Sequence, residues 1–198
     1  MCIRDRDKTI CKTIHSEKKK YLQESKDFAS TMDEEELEGI AKFLEEEYGF
    51  PLKGTWIIGP GRTLQKIISF YGFSKSFLGF MCISDGKVIC YPCSSNDLAR
   101  IITEKENAKI LLSPIGGSGF LIGRGNKELT PRVLRLIGDK SKILVVATKN
   151  KLMRIKHLLV DTGDTFTDYM LEGYTRVVVG YYEEMVAKVL SSSKTDKN

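Results

Sequence analysis

A chain of 198 residues, 41% hydrophobic and 29% charged, is long enough to bury a core and ordinary for a globular domain. Its longest apolar runs, such as Ile143–Ala147, are too short to span a bilayer. The N-terminus has no apolar signal segment, so a cytoplasmic protein with no membrane partner is expected. The formal net charge of +5 gathers at the two ends, in Lys18–Lys20 and the polar tail Ser191–Asn198. No aromatic-and-basic stripe accompanies it, which argues against a nucleic-acid partner.

Residues 1–30 show no hydrophobic period, and Met1–Arg6 is set aside as a leader foreign to the fold. Order is expected from 31 to 190, with 191–198 a disordered tail. Asp33 and Glu36 have capping-box spacing, followed by Leu37, Ile40, Ala41, Leu44 and Tyr48 at helical spacing. Thr55–Ile58 reads as a strand entering Gly59-Pro60-Gly61, and Leu64, Ile67, Ile68 and Tyr71 mark a second helix. Phe77–Ile83 and Lys87–Tyr91 flank Asp85-Gly86, a strong hairpin signal. Ser94 or Ser95 caps a helix carrying Leu98, Ile101 and Ile102. Lys109–Leu112 is a strand leading into a glycine-rich segment. Thr130-Pro131 starts a helix that Gly138 stops. Lys142–Ala147 is apolar enough for a sheet buried on both faces. His157–Val160 is a short strand, and a short helix with Phe166, Tyr169 and Met170 follows. Tyr174–Val179 and Glu183–Val189 close as an antiparallel pair. The class is therefore α/β, a mixed β-sheet with alternating helices and a C-terminal antiparallel pair.

Three loops that follow strands and precede helices are expected to gather at one C-terminal sheet edge, where ligands bind. The richest is Ser113–Asn126. Gly116, Gly117, Ser118 and Gly119 let a ligand approach the backbone and form an anion nest, while Arg124 and Asn126 add a cation and an amide. A tight structural turn explains the same residues. Gly59, Gly61 and Thr63 stand before a helix whose free N–H groups suit a phosphate, or form an ordinary strand–helix turn. Asp161 and Asp164 suit Mg²⁺, ribose hydroxyls or base work, and equally turn chemistry with Asp164 as a helix cap. Five cysteines with no export signal imply reduced thiols. Cys90–Cys93 is a lone CxxC with two histidines in the whole chain, a weak zinc or redox signal, and small buried residues at a strand end explain it too.

Taken in order, Gly59-Pro60-Gly61-Arg62-Thr63, Phe77-Leu78-Gly79, Asp85-Gly86, Ser113–Asn126, Val145-Val146-Ala147-Thr148 and Val160-Asp161-Thr162-Gly163-Asp164 resemble the prokaryotic ATP–NAD kinase-like branch, which also holds the acetoin-catabolism X proteins. The likeness runs from about Tyr21 to Val189. It implies phosphoryl transfer from ATP or polyphosphate, with Mg²⁺, to the 2′-hydroxyl of NAD. It also implies nucleotide contacts by Ser113, by the Gly116–Gly119 backbone and by Asn126, and self-association into a homo-oligomer. The family's base is an aspartate in a GGDG motif, and the chain has none; no catalytic residue and no metal ligand is assigned. The resemblance thus reads the chain as a C-terminal portion, inactive alone, of a gene product whose N-terminal half is missing. Met81 replaces a usual acidic residue, and Pro92-Cys93-Ser94-Ser95 replaces an Asp-Val-Asn-Glu-like stretch that holds ribose in NAD kinases. A diverged or non-catalytic nucleotide or sugar-phosphate module is the alternative these departures leave open.

Overall fold

A computed structural model describes residues 33–105 and 107–195. The chain divides into two compact units, Met1–Glu35 and Glu36–Asn198. Of the first, only 33–35 are described, and the leader expected over 1–30 lies outside the described residues. Everything below concerns the second unit.

Helix α1 covers 33–48. The strands are β1 (Thr55–Ile58), β2 (Phe80–Ser84), β3 (Lys87–Cys93), β4 (Lys109–Leu112), β5 (Phe120–Ile122), β6 (Ile143–Val146), β7 (Leu158–Val160), β8 (Gly173–Gly180) and β9 (Glu183–Ser191). Between them lie α2 (Arg62–Ser69), α3 (Ser95–Glu104), α4 (Pro131–Ile137), a 3₁₀ turn at Lys140–Lys142, α5 (Lys149–Met153) and α6 (Thr165–Leu171). A last turn of helix, α7, covers Ser192–Thr195, so the chain stays regular into the expected tail; 196–198 lie outside the described residues.

All nine strands form one sheet, in the order β3-β2-β1-β4-β6-β8-β9-β7-β5. The run β1, β4, β6, β8 is parallel. It alternates strictly, as a doubly buried strand must. Trp56, Ile58, Leu111, Leu144, Val146 and Val178 face a cluster covered by Leu37, Ile40 and Leu44 of α1 and by Leu64, Ile67 and Ile68 of α2. Ile57, Ile110, Leu112, Val145, Val177 and Val179 face the opposite cluster, shared with α3, α4 and residues of β5, β7 and β9. At the other end, β3 is an edge strand, with Val88 and Ile89 exposed.

Local signals explain most element ends. Asp85 and Gly86 both take positive φ, 47° and 71°, the type I′ geometry of a two-residue hairpin. Ser94 caps α3 and exchanges hydrogen bonds with Asp97 in a full capping box; Thr130 caps α4 ahead of Pro131. Two expectations fail, at the start of β2 and at Cys90–Cys93. The strand expected from Phe77 begins at Phe80, because the Phe77 carbonyl accepts the N–H of Gly61 instead. On α6, Phe166, Tyr169 and Met170 face outward while Thr167 and Asp168 are buried, since Asp168 accepts from the N–H and hydroxyl of Thr162. Cys90 and Cys93 are joined as a disulfide rather than left as thiols. The remaining described cysteine, Cys82, is a buried thiol that burial pushes up to about 12.

Gly123 sits at φ +107°, and a Cβ there would run into the Asp161 carbonyl oxygen. Gly117 meets nothing within 4 Å. Gly123→Ala should therefore lower the unfolding free energy by about 2–4 kcal/mol, and Gly117→Ala by less than about 0.5 kcal/mol. Urea denaturation measures both; equal effects would contradict this packing.

Candidate functional site

The three loops do not share one edge. Strand β8 turns antiparallel into β9, and β9, β7 and β5 are mutually parallel. Strands β7 and β5 therefore run against β1, β4 and β6. The residues after β5 and β7, namely Arg124, Asn126, Asp161 and Asp164, fall at the sheet edge opposite to Gly59, Gly61, Thr63 and Ser113. Gly116–Gly119 precede β5 and stay with Ser113. The expectation of a single gathering edge is corrected by this reversal of strand direction.

At the far edge the side chains are largely spent on structure. Asn126 is fully buried; its side-chain oxygen accepts from the Gly123 N–H at 2.7 Å and its amide donates to the Leu121 carbonyl at 2.8 Å. Arg124 pairs with Asp161 at 3.3 Å, and the Asp161 N–H donates to the Ile122 carbonyl. Asp164 caps α6 and meets Arg135 at 2.9 Å. Hydrogen bonds from Thr167, helped by that arginine, hold its carboxyl below the usual range.

The near edge is built differently. Three adjacent parallel strands, β1, β4 and β6, end side by side. After β6, Thr148 caps α5 through the Lys151 N–H, which turns the Lys151 side chain back across the strand ends. Its ammonium donates to Thr63 Oγ1 at 3.1 Å and to Ser113 Oγ at 3.0 Å. One cation thus joins the residue after β4, the second residue of α2 and the helix after β6. α5 is held in turn by Glu36, which accepts from the Lys149 N–H at 2.9 Å, and by Glu183, 2.5 Å from the Lys149 ammonium.

A second lysine lies under the β1 loop. Lys75 is 4% exposed and donates to the Gly59 and Ser76 carbonyls at 3.2 and 3.0 Å. Burial holds both Lys75 and Lys151 down to about 8, and among the described residues neither meets a carboxylate. No side chain caps α2. The Gly116–Gly117 tip is open, with no atom in the way of a Cβ at either position.

Sequence reasoning selected Thr63 and Ser113 but missed Lys75 and Lys151. The available signal was Thr148 directly after the buried strand, since a strand–cap–helix junction places the next turn over the sheet edge. Among the described residues no group of three or more His, Cys, Asp or Glu comes together, and no helix is long and apolar enough to cross a membrane. Ammonium and hydroxyl groups suit phosphate; they do not make the oxygen cage that a protein-held Mg²⁺ needs.

A glycine turn beside a Ser–Thr–Lys cluster at parallel strand ends is the arrangement expected of a phosphate-bearing ligand, and one comparison decides the family. The ATP-NAD kinase C-terminal domain matches residues 54–189. The chain belongs to the ATP-NAD kinase family. No curated protein and no solved structure matches it significantly. Within this NAD kinase C-terminal domain, the matched span carries the parallel strands, both glycine loops, Lys75 and Lys151.

The lysine at the β1 loop has a measurable signature. Its ordinary value is 10.5 and its folded value about 8. Between those values the unfolded chain keeps a proton that the folded chain gives up, so this group adds stability as pH rises and costs most below pH 8. Lys75→Met removes the ionisation. The stability of the variant relative to wild type should fall by up to about 2 kcal/mol between about pH 7.5 and 9.5. Urea denaturation across that window tests it, and a flat difference would mean that Lys75 titrates as in water.

Proposed function

We propose that this domain binds the nucleotide of an NAD kinase reaction. In that reaction the 2′-hydroxyl of NAD attacks the terminal phosphorus of ATP or polyphosphate. A bond forms between that oxygen and phosphorus, the bond to the leaving phosphate breaks, and the hydroxyl proton passes to a base. The observation that carries the reading is the convergence of Thr63, Ser113 and Lys151 beside the open Gly116–Ser118 turn, in a chain of this family.

Phosphoryl transfer asks a protein chiefly for positioning and charge neutralisation. The near edge supplies both. Its hydroxyls and ammonium suit phosphate oxygens, and the glycine turn admits a flat ligand to the backbone. Mg²⁺ would arrive on the phosphates of ATP. The GGDG aspartate is absent from the 198 residues, and we assign the base to a segment outside them. The far-edge residues Arg124, Asn126, Asp161 and Asp164 then act by holding the glycine loop and α6. Self-association, which the family resemblance implies, belongs to the same reading.

One observation favours a second reading, a diverged nucleotide or sugar-phosphate module. Ser94, within the stretch that departs from the family's ribose-holding pair, spends its hydroxyl and N–H on Asp97 to cap α3. Calorimetric titration with NAD, ATP and ribose 5-phosphate separates the two. The first reading expects NAD binding that Gly117→Val weakens at least about tenfold with no loss of stability. Ribose 5-phosphate binding without NAD binding would support the second reading, and the absence of all three would overturn both.

A further inference from the structure

The Lys151 cluster has an electrostatic imbalance that the protein's own groups leave uncorrected. An ammonium can only donate, so both Thr63 Oγ1 and Ser113 Oγ must be the acceptors in their bonds to Lys151. Each hydroxyl therefore keeps its own proton for another partner. No described protein atom takes either proton, although Ser113 is 4% exposed. Lys151 carries a third N–H of its own. Thr63 is also the second residue of α2, whose first-turn N–H groups have no intrahelical partner and no side-chain cap.

Every polar group in this cluster thus points to the same missing chemistry. Two hydroxyl protons, an ammonium proton and helix N–H groups stand at the ends of three adjacent strands. Among the described residues no carboxylate neutralises the cation. A partly buried cation without a counter-charge carries a desolvation cost, and an anion that accepts several hydrogen bonds would offset that cost. The depressed Lys151 value, caused by burial alone, agrees with a site completed from outside the protein.

We infer that Thr63, Ser113 and Lys151 form a phosphate-binding site that recognises a phosphate or pyrophosphate group by itself, without a nucleoside, and that Lys151 is its principal ligand. This deepens the nucleotide reading by assigning the phosphate end of the ligand to these three residues, but it does not require that the nucleoside be NAD. A dianionic phosphate accepts from the two hydroxyls and from Lys151 at once, and the N-terminal dipole of α2 adds to the attraction.

Inorganic pyrophosphate is the probe, titrated calorimetrically into the whole chain near neutral pH. Saturable binding is expected. Lys151→Met should weaken it at least about tenfold, and Thr63→Val and Ser113→Ala each about three- to tenfold. Lys188→Ala, a change far from the cluster on β9, should leave it unchanged. The unmodified protein gives a second measure, since pyrophosphate should slow acylation of the Lys151 amine, followed by mass spectrometry, and leave acylation of Lys188 unaffected. The inference is overturned if pyrophosphate fails to bind, if a folded Lys151→Met binds it as tightly as wild type, or if Lys151 gains no protection. NAD binding with no pyrophosphate effect at Lys151 would sink this inference and spare the nucleotide reading. Lys151-dependent pyrophosphate binding with no affinity for NAD or ATP would do the reverse.

Discussion

The reversal of strand direction between β8 and β9 decides where every loop of this molecule can act. Up to β8 the central strands are parallel and their C-terminal ends share one edge. At Tyr181-Tyr182 the chain doubles back, and Tyr182 takes φ 51° to make that turn. From there β9, β7 and β5 pair in parallel with one another, so all three run opposite to the central strands. The glycine-rich segment is consequently divided by β5: its first half stands with Ser113 and its second half with Asp161. Neither half contains a strong chemical group on the near edge, and that leaves the cation to come from α5.

Lys151 answers that need by a route that depends on burial. A lysine at the surface would be solvated and its two hydroxyl bonds would contribute little. Here desolvation makes the ammonium costly, and the hydroxyls of Thr63 and Ser113 offset part of the cost without cancelling charge. The far edge shows the contrasting solution, in which Arg124 and Arg135 each meet an aspartate. Arg124 and Arg135 are neutralised within the protein at the far edge, whereas at the near edge Lys149 is paired with Glu183 and, among the described residues, Lys151 is left without a counter-charge. That asymmetry, more than the glycine content of either loop, distinguishes the edge suited to an anion.

Much of the fold was legible because local signals agreed with the global arrangement. The Asp85-Gly86 turn, the Ser94 cap and the Thr130-Pro131 start depend on a few adjacent residues, and the apolar runs at 55–58, 109–112 and 143–147 had the look of doubly buried strands. Edge membership was not legible in the same way, because strand direction beyond β8 depends on long-range pairing. Alternation of side chains is the same in either direction. α5 was also hidden: Lys149-Asn150-Lys151 has no apolar period, and its helix is set by the Thr148 cap and by Glu36, more than a hundred residues away. α6 stands where the sequence placed it, but which way it faces was not legible: its largest apolar side chains point outward while a buried aspartate organises its start. Asn126 was read as a ligand-facing amide, and its position between two backbone groups of its own loop could be known only once the loop had closed.

The contacts of α1 carry a consequence for where this domain can be divided. The matched span begins at residue 54, yet α1 supplies Leu37, Ile40, Ala41, Phe43 and Leu44 to the cluster that holds Trp56, Ile58 and Leu111. The same helix reaches the β8–β9 turn through Glu46 and Glu47, which accept from the hydroxyls of Tyr181 and Tyr182, and it steadies α5 through Glu36. A fragment trimmed to the matched span would leave that face of the central sheet to α2 alone, expose the apolar side chains that α1 covers, and loosen the helix that carries Lys151. The evolutionary unit and the packed unit therefore have different borders, since the packing that holds the central sheet begins at α1.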